Sequence, residues 1–165
     1  MACCRKLPQL DADGLLPEGI HRADLREVRR VFVQESANRI LRQQRYDAWL
    51  RHREALSRIA PVLGQWLDGS FVTSKPDPGD VDVVTFLDGP EFDALPRWRQ
   101  DLIVQLLQGH DTRDRWGVDS FAVLVYPSGH PGEAQSVRTE EYWSWMWSRS
   151  RTHPHRRKGY VEVVL

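Results

Sequence analysis

The chain is poor in several things at once. Of its 165 residues only two are cysteines, Cys3 and Cys4, adjacent near the start. Neighbouring cysteines make no ordinary bridge, and without spaced partners they make no zinc site. They read as reduced and incidental. No window approaches ~18 consecutive apolar residues, and Met1 to Lys6 lacks a signal-peptide core, so neither a membrane span nor secretion is expected. The expected compartment is the cytoplasm. Lysine is scarce, with only Lys6, Lys75 and Lys158, and the 23 basic residues cancel 23 acidic ones. What the chain does have is apolar mass: 41% hydrophobic residues and seven tryptophans exclude disorder and predict one folded domain.

Residues 1–20 carry Pro8, Gly14, Pro17 and Gly19 without periodicity and read as an extended leader on the domain. Asp24 with Glu27 has capping-box spacing, and Leu25, Val28, Val31 and Phe32 follow at helical intervals. Ser36 is the expected cap of a longer second helix, with Ile40, Leu41, Trp49, Leu56 and Ile59 as its apolar face, ending before Pro61. Strands are expected over Val62 to Phe71, Val81 to Leu87, Gly117 to Tyr126 and Tyr160 to Leu165. Between them, Trp98, Leu102 and Leu106 mark one helix, and Tyr142, Trp143, Met146 and Trp147 another whose aromatic face belongs to the core, with Trp145 pointing elsewhere. The expected fold class is α/β (α+β): a single domain with a mixed sheet and N-terminal helices packed against it.

The charge balance is a cancellation between segments. His21 to Arg58 holds ten basic and five acidic residues, whereas Asp68 to Asp119 holds five basic and eleven acidic. In that acidic centre lies the most informative stretch: Gly69-Ser70, nine residues, then Asp80-Val81-Asp82. Side chains alternate across a strand, so Asp80 and Asp82 share a face, and two carboxylates side by side repel unless a divalent cation such as Mg²⁺ lies between them. Mn²⁺ would suit the same oxygens. The Gly69-Ser70 turn offers backbone N–H groups and a hydroxyl to a polyphosphate, with Thr73, Ser74 and Lys75 in the same loop. Lys75 reads as a phosphate ligand, narrowly ahead of a solvated loop residue. A third carboxylate completes a two-metal arrangement, and Asp119, interrupting the apolar run of the third strand, is the candidate if that strand lies beside the Asp80/Asp82 strand.

These residues together resemble the DNA polymerase β-type nucleotidyltransferase superfamily. The likeness runs through a small, stand-alone, largely uncharacterised bacterial family similar to it, across Leu16-Pro17-Glu18-Gly19-Ile20-His21, Glu27 to Phe32, Asp68-Gly69-Ser70-Phe71 through Asp82, and Lys158-Gly159-Tyr160. The resemblance implies that Asp80 and Asp82 bind catalytic Mg²⁺. It further implies that Asp119 binds metal and assists deprotonation of the acceptor hydroxyl, and that Gly69 and Ser70 hold the nucleotide phosphates. The sequence departs from the superfamily after the Gly-Ser turn, where Pro76, Pro78 and Gly79 leave little room for the usual helix.

The implied activity is Mg²⁺-dependent transfer of a nucleoside monophosphate from a nucleoside triphosphate, ATP among the candidates, to a hydroxyl on an RNA end, a protein side chain or a small molecule. The alternative is a non-catalytic nucleotide- or partner-binding module, such as one half of a bacterial toxin–antitoxin or defence pair. Five basic residues and no acid between Arg149 and Gly159 suit nucleic-acid phosphates or a solvated loop. Lys158, at the end of that stretch, is a candidate contact to acceptor or phosphate, and His153 with His155 lacks the partners of a zinc site.

Overall fold

A computed structural model describes residues 6–152 and 155–163. Cys3 and Cys4 and the pair His153-Pro154 lie outside the described residues. In chain order the elements are β1 (Gly19–Ala23), α1 (Leu25–Arg29) continuing into a wider turn over Arg30–Gln34, α2 (Arg39–Ser57), β2 (Val62–Asp68), β3 (Val81–Asp88), α3 (Gly89–Asp93), α4 (Arg97–Gln105), α5 (Arg113–Trp116), β4 (Val118–Val125), α6 (Glu133–Trp147) and β5 (Gly159–Val163). The five strands form one mixed sheet in the order β1-β5-β2-β3-β4. β1 runs parallel to β5 and β3 parallel to β4, while β2 is antiparallel to both β5 and β3. The result is a one-domain α/β architecture with the N-terminal helices against the sheet, as its periodicities imply.

Strand alternation sorts the core into two layers. Leu67, Val81, Val83, Val118 and Val161 face α1 and α2 and pack with Val28, Phe32, Tyr46 and Trp49. Trp66, Val84, Val123 and Tyr160 face the other way and meet Trp147 of α6, with Phe121, Trp143 and Met146 alongside. A third cluster of Leu56, Leu87 and Ile103 closes one end of the sheet.

Several expectations are corrected, mostly in phase. α2 is capped by Asn38, whose side chain accepts from the Leu41 N–H, rather than by Ser36, whose hydroxyl instead accepts from the Asn38 N–H. The buried stripe of α2 is Arg42, Tyr46, Trp49 and Leu56, and Ile40 falls off that arc at 78% exposure. In α4, Arg99 and Ile103 turn inward and Leu106 packs beside Ile103, leaving Trp98 65% exposed and Leu102 exposed beside it. Tyr142 also leaves the core, while Trp145 points outward as expected.

The strand expected over Val62 to Phe71 stops at Asp68, because Gly69 turns to φ +73° and Ser70–Val72 form one tight helical turn that buries Phe71. The leader is not featureless either. Its last residues enter β1, an edge strand that no alternating pattern announces, held by parallel pairing to β5. The final strand begins at Gly159, one residue earlier than expected.

Candidate active site

Asp68 is paired with Asp82 across β2 and β3, and Asp82 with Asp119 across β3 and β4. Three carboxylates thus stand in a row across three adjacent strands, all on the α6 face of the sheet and all buried. Asp80 sits one residue before β3 and completes the group. Asp68, Asp80 and Asp82 line a cavity of about 500 Å³ with Gly69, Ser70, Thr73 and Lys75 on one wall. Residues 149–152 and Lys158 form the other, with Leu15 and Trp147 as apolar lining.

The electrostatic consequence is strong. Burial, then the charges of Asp80 and Asp68, push the Asp82 carboxyl up to about 7. Asp68 is pushed up to about 6 by burial, against the pull of Lys158, whose ammonium is bonded to it. Asp119 holds one oxygen, Oδ2, close to Arg113 Nη2 (2.8 Å) and His110 Nδ1 (2.6 Å), while its Oδ1 is buried without a partner. Arg113 also reaches Asp80 Oδ2 through Nε at 2.5 Å.

Gly69 is fixed here by space as well as conformation. A Cβ at this position would lie 1.6 Å from Asp82 Oδ2, so the turn presses directly on the carboxylate and excludes every other residue. The loop beyond it is held by Arg42. This guanidinium is wholly buried, pushed down to about 10 by desolvation, and its N–H groups meet the carbonyls of Phe32, Ser70, Phe71, Thr73 and Lys75. Thr73 turns its hydroxyl inward to the Ser70 carbonyl at 2.8 Å and takes the Lys75 N–H, so it braces the loop.

The basic C-terminal stretch is largely spent inside the molecule. Arg156 pairs with Asp11 and Asp13 of the leader, Arg157 with Glu18, and Lys158 with Asp68. Arg149 lies over the Trp145 ring at 4.4 Å, and Arg151 faces the cavity. Lys75, Arg149 and Arg151 line the cavity outside the ion pairs of the described residues.

Sequence reasoning therefore placed Asp80, Asp82, Gly69, Ser70, Thr73, Lys75 and Lys158 on residues that share one cavity, with Asp119 just beneath it. It missed three members. Asp68 falls within the expected strand and shares the face of Trp66 two residues earlier, but carries no site role in the sequence pattern. Arg42 was passed over, although it keeps helical spacing with Tyr46 and Trp49 and so had to be buried. Arg113 carried no signal, since its partners come from two strands.

Do these residues suit a divalent cation? The donor set is oxygen throughout, Asp82 is crowded by like charges, and Asp119 Oδ1 is buried with nothing to bind. A hard cation matches the oxygen donors and relieves both the crowding and the unpartnered oxygen, so the chemistry fits. Yet among the described residues no three acids or histidines converge as a ready-made metal cage, and the acids flanking Asp82 close on Arg113 instead.

Fold and site together define a one-domain α/β protein with four aspartates gathered at one end of a mixed sheet. The chain belongs to a family of unknown function (DUF6932), whose model matches residues 8–164. No curated protein and no solved structure matches it. Among the described residues, no helix is long and apolar enough to cross a membrane.

Proposed function

We propose that the chain is a divalent-cation-dependent nucleotidyltransferase. The observation that carries this reading is the in-register row of Asp68, Asp82 and Asp119, with Asp80 beside it, of which Asp68, Asp80 and Asp82 line a cavity together with Ser70, Lys75, Arg149 and Arg151. Acids on the floor and cations on the walls suit a ligand that brings both phosphate and metal. Asp80 and Asp82 would hold Mg²⁺, or Mn²⁺ in its place, with Asp119 contributing its unpartnered oxygen. Bound there, the metal would neutralise phosphate charge and acidify the acceptor hydroxyl.

The chain's own groups supply the rest. Ser70 and Lys75 receive phosphate oxygens on a loop pinned by Arg42, while Arg149 and Arg151 face them from the opposite wall. The acceptor hydroxyl oxygen bonds to the α-phosphorus as the bond to pyrophosphate breaks, and the hydroxyl proton passes to the carboxylate cluster. The internal pairing of Arg156, Arg157 and Lys158 reduces the charge left for an RNA acceptor, which favours a smaller acceptor or a protein side chain.

One observation favours the non-catalytic alternative, a nucleotide-binding module: Arg113 closes on Asp80 and Asp119 where a cation would be needed. Incubation with labelled triphosphates, Mg²⁺ and cell extract separates the two. The expected result is a labelled acceptor that disappears with Asp80→Ala/Asp82→Ala. Equal labelling by that variant refutes the assignment, and triphosphate binding that needs no Mg²⁺, without any labelling, selects the non-catalytic module.

A further inference from the structure

Among the described residues, Arg113 is the one cation that touches two of the acids assigned above to metal. Its Nε–H lies 2.5 Å from Asp80 Oδ2 and its Nη2 2.8 Å from Asp119 Oδ2, so a single planar group spans the acids on either side of Asp82. Guanidinium is the side chain best shaped to bridge two carboxylates in this way. The attraction of both acids raises its already high affinity for the proton, so it stays charged throughout. His110 adds a contact to the same Asp119 oxygen. What this clamp leaves unserved is equally specific. Asp119 keeps its Oδ1 buried and unpartnered, and the charge on Asp82 is opposed by no ion pair of the described residues.

The clamp is not locked in place. Arg113 begins a helix of only four residues, its side chain is 46% exposed, and it lines the same cavity as Lys75, Arg149 and Arg151. The guanidinium, half in water, can move out at little cost to itself, whereas the two carboxylates it leaves are largely buried and need an incoming cation to replace its charge. One displaced guanidinium remains on a wall facing incoming phosphate.

We infer that Arg113 is an exchangeable cation of the site: it neutralises Asp80 and Asp119 while no metal is bound, yields them to a divalent ion, and then binds the phosphates that arrive with it. This rests on the metal-dependent reading above and adds to it a substrate-binding residue and the reason why no metal cage stands preassembled. Two opposite effects of one substitution follow. Removing the guanidinium removes a competitor for the bare ion but also a ligand for the phosphate complex.

The test titrates the full chain with Mn²⁺ alone, followed by the loss of its free-ion paramagnetic resonance signal, and then with tripolyphosphate at saturating Mn²⁺. Arg113→Gln is expected to bind Mn²⁺ roughly three- to tenfold more tightly than the unaltered chain. It should bind tripolyphosphate about tenfold more weakly. Arg113→Lys, which keeps the charge but bridges only one acid, should shift both constants in the same directions by less. This second variant carries the test should the glutamine form lose its circular-dichroism signature of folding. Arg115→Gln, on the same short helix but outside the cavity, should leave both constants unchanged.

Unchanged or weaker Mn²⁺ binding by Arg113→Gln, or unchanged tripolyphosphate binding, overturns the inference while leaving the metal-site reading intact. Absence of Mn²⁺ binding by both the unaltered chain and Arg113→Gln overturns the metal-site reading itself, and this inference with it.

Discussion

Three adjacent strands, β2, β3 and β4, end in two very different ways. At one end the register aligns Asp68, Asp82 and Asp119, and at the other it aligns Val62, Leu87 and Leu124. The same backbone ladder thus carries a row of buried acids and a row of apolar side chains. At the apolar end Leu87 is buried with Leu56 and Ile103, and Phe92, Leu95 and Leu106 seal the cluster. The acidic end holds a carboxyl pushed up to about 7 and an oxygen with no partner. Local conflict of that kind in an otherwise consistent fold is a mark of function, because selection for stability alone would remove it. The comparison teaches where stability is made and where it is given up.

Substitution at the apolar end should break the contrast most severely. Leu87→Ala leaves a cavity in a sealed cluster and is expected to lower unfolding free energy by about 2–5 kcal/mol, read as a reduced denaturant midpoint at unchanged slope.

At the acidic end the sign reverses. Asp82→Asn is expected to stabilise the metal-free protein by about 0.5–2 kcal/mol at pH 8 while removing metal binding. The pH dependence follows from the raised carboxyl. The folded chain takes up a proton near pH 7, and the unfolded chain only near its ordinary value of 3.8. Stability from this group is therefore fully present below about 3.8 and lost as pH rises through 7. Thermal melts at several pH values should show the advantage of Asp82→Asn shrinking as pH falls from 8 to 5. An advantage that grows over that range would contradict the charge-crowding account.

The smallest effect sharpens the comparison from outside it. Trp98, which marks α4 by its spacing with Leu102, is exposed. Trp98→Gln should change unfolding free energy by less than about 0.5 kcal/mol in the same denaturation experiment.

That last case marks the boundary of what was legible. Periodicity found both long helices and the central strands, because those patterns follow from one face being buried. It did not give phase where a polar residue served the inner face, as with Arg42 in α2 and Arg99 in α4, since the eye follows leucine and tryptophan rather than arginine. β1 was invisible because an edge strand in Gly19-Ile20-His21-Arg22-Ala23 is specified by its partner β5, not by its own alternation.

Within the site, Asp80 and Asp82 announced themselves by local spacing. Asp68, Arg42 and Arg113 did not, because their meaning lies in contacts across 28 to 90 residues of chain or across separate strands. The basic tail divides in a way its composition does not announce: Arg156 and Arg157 meet the leader's acids, whereas Arg149 and Arg151 line the cavity.

The central claim is that the acidic row exists to hold a divalent cation with an oligophosphate. Calorimetric titration of a non-hydrolysable triphosphate analogue into the full chain, with and without Mg²⁺, tests it most directly. The account predicts binding that requires Mg²⁺ and is abolished by Asp80→Asn/Asp82→Asn. Equal binding without Mg²⁺, or binding that survives the loss of both carboxylates, would contradict it.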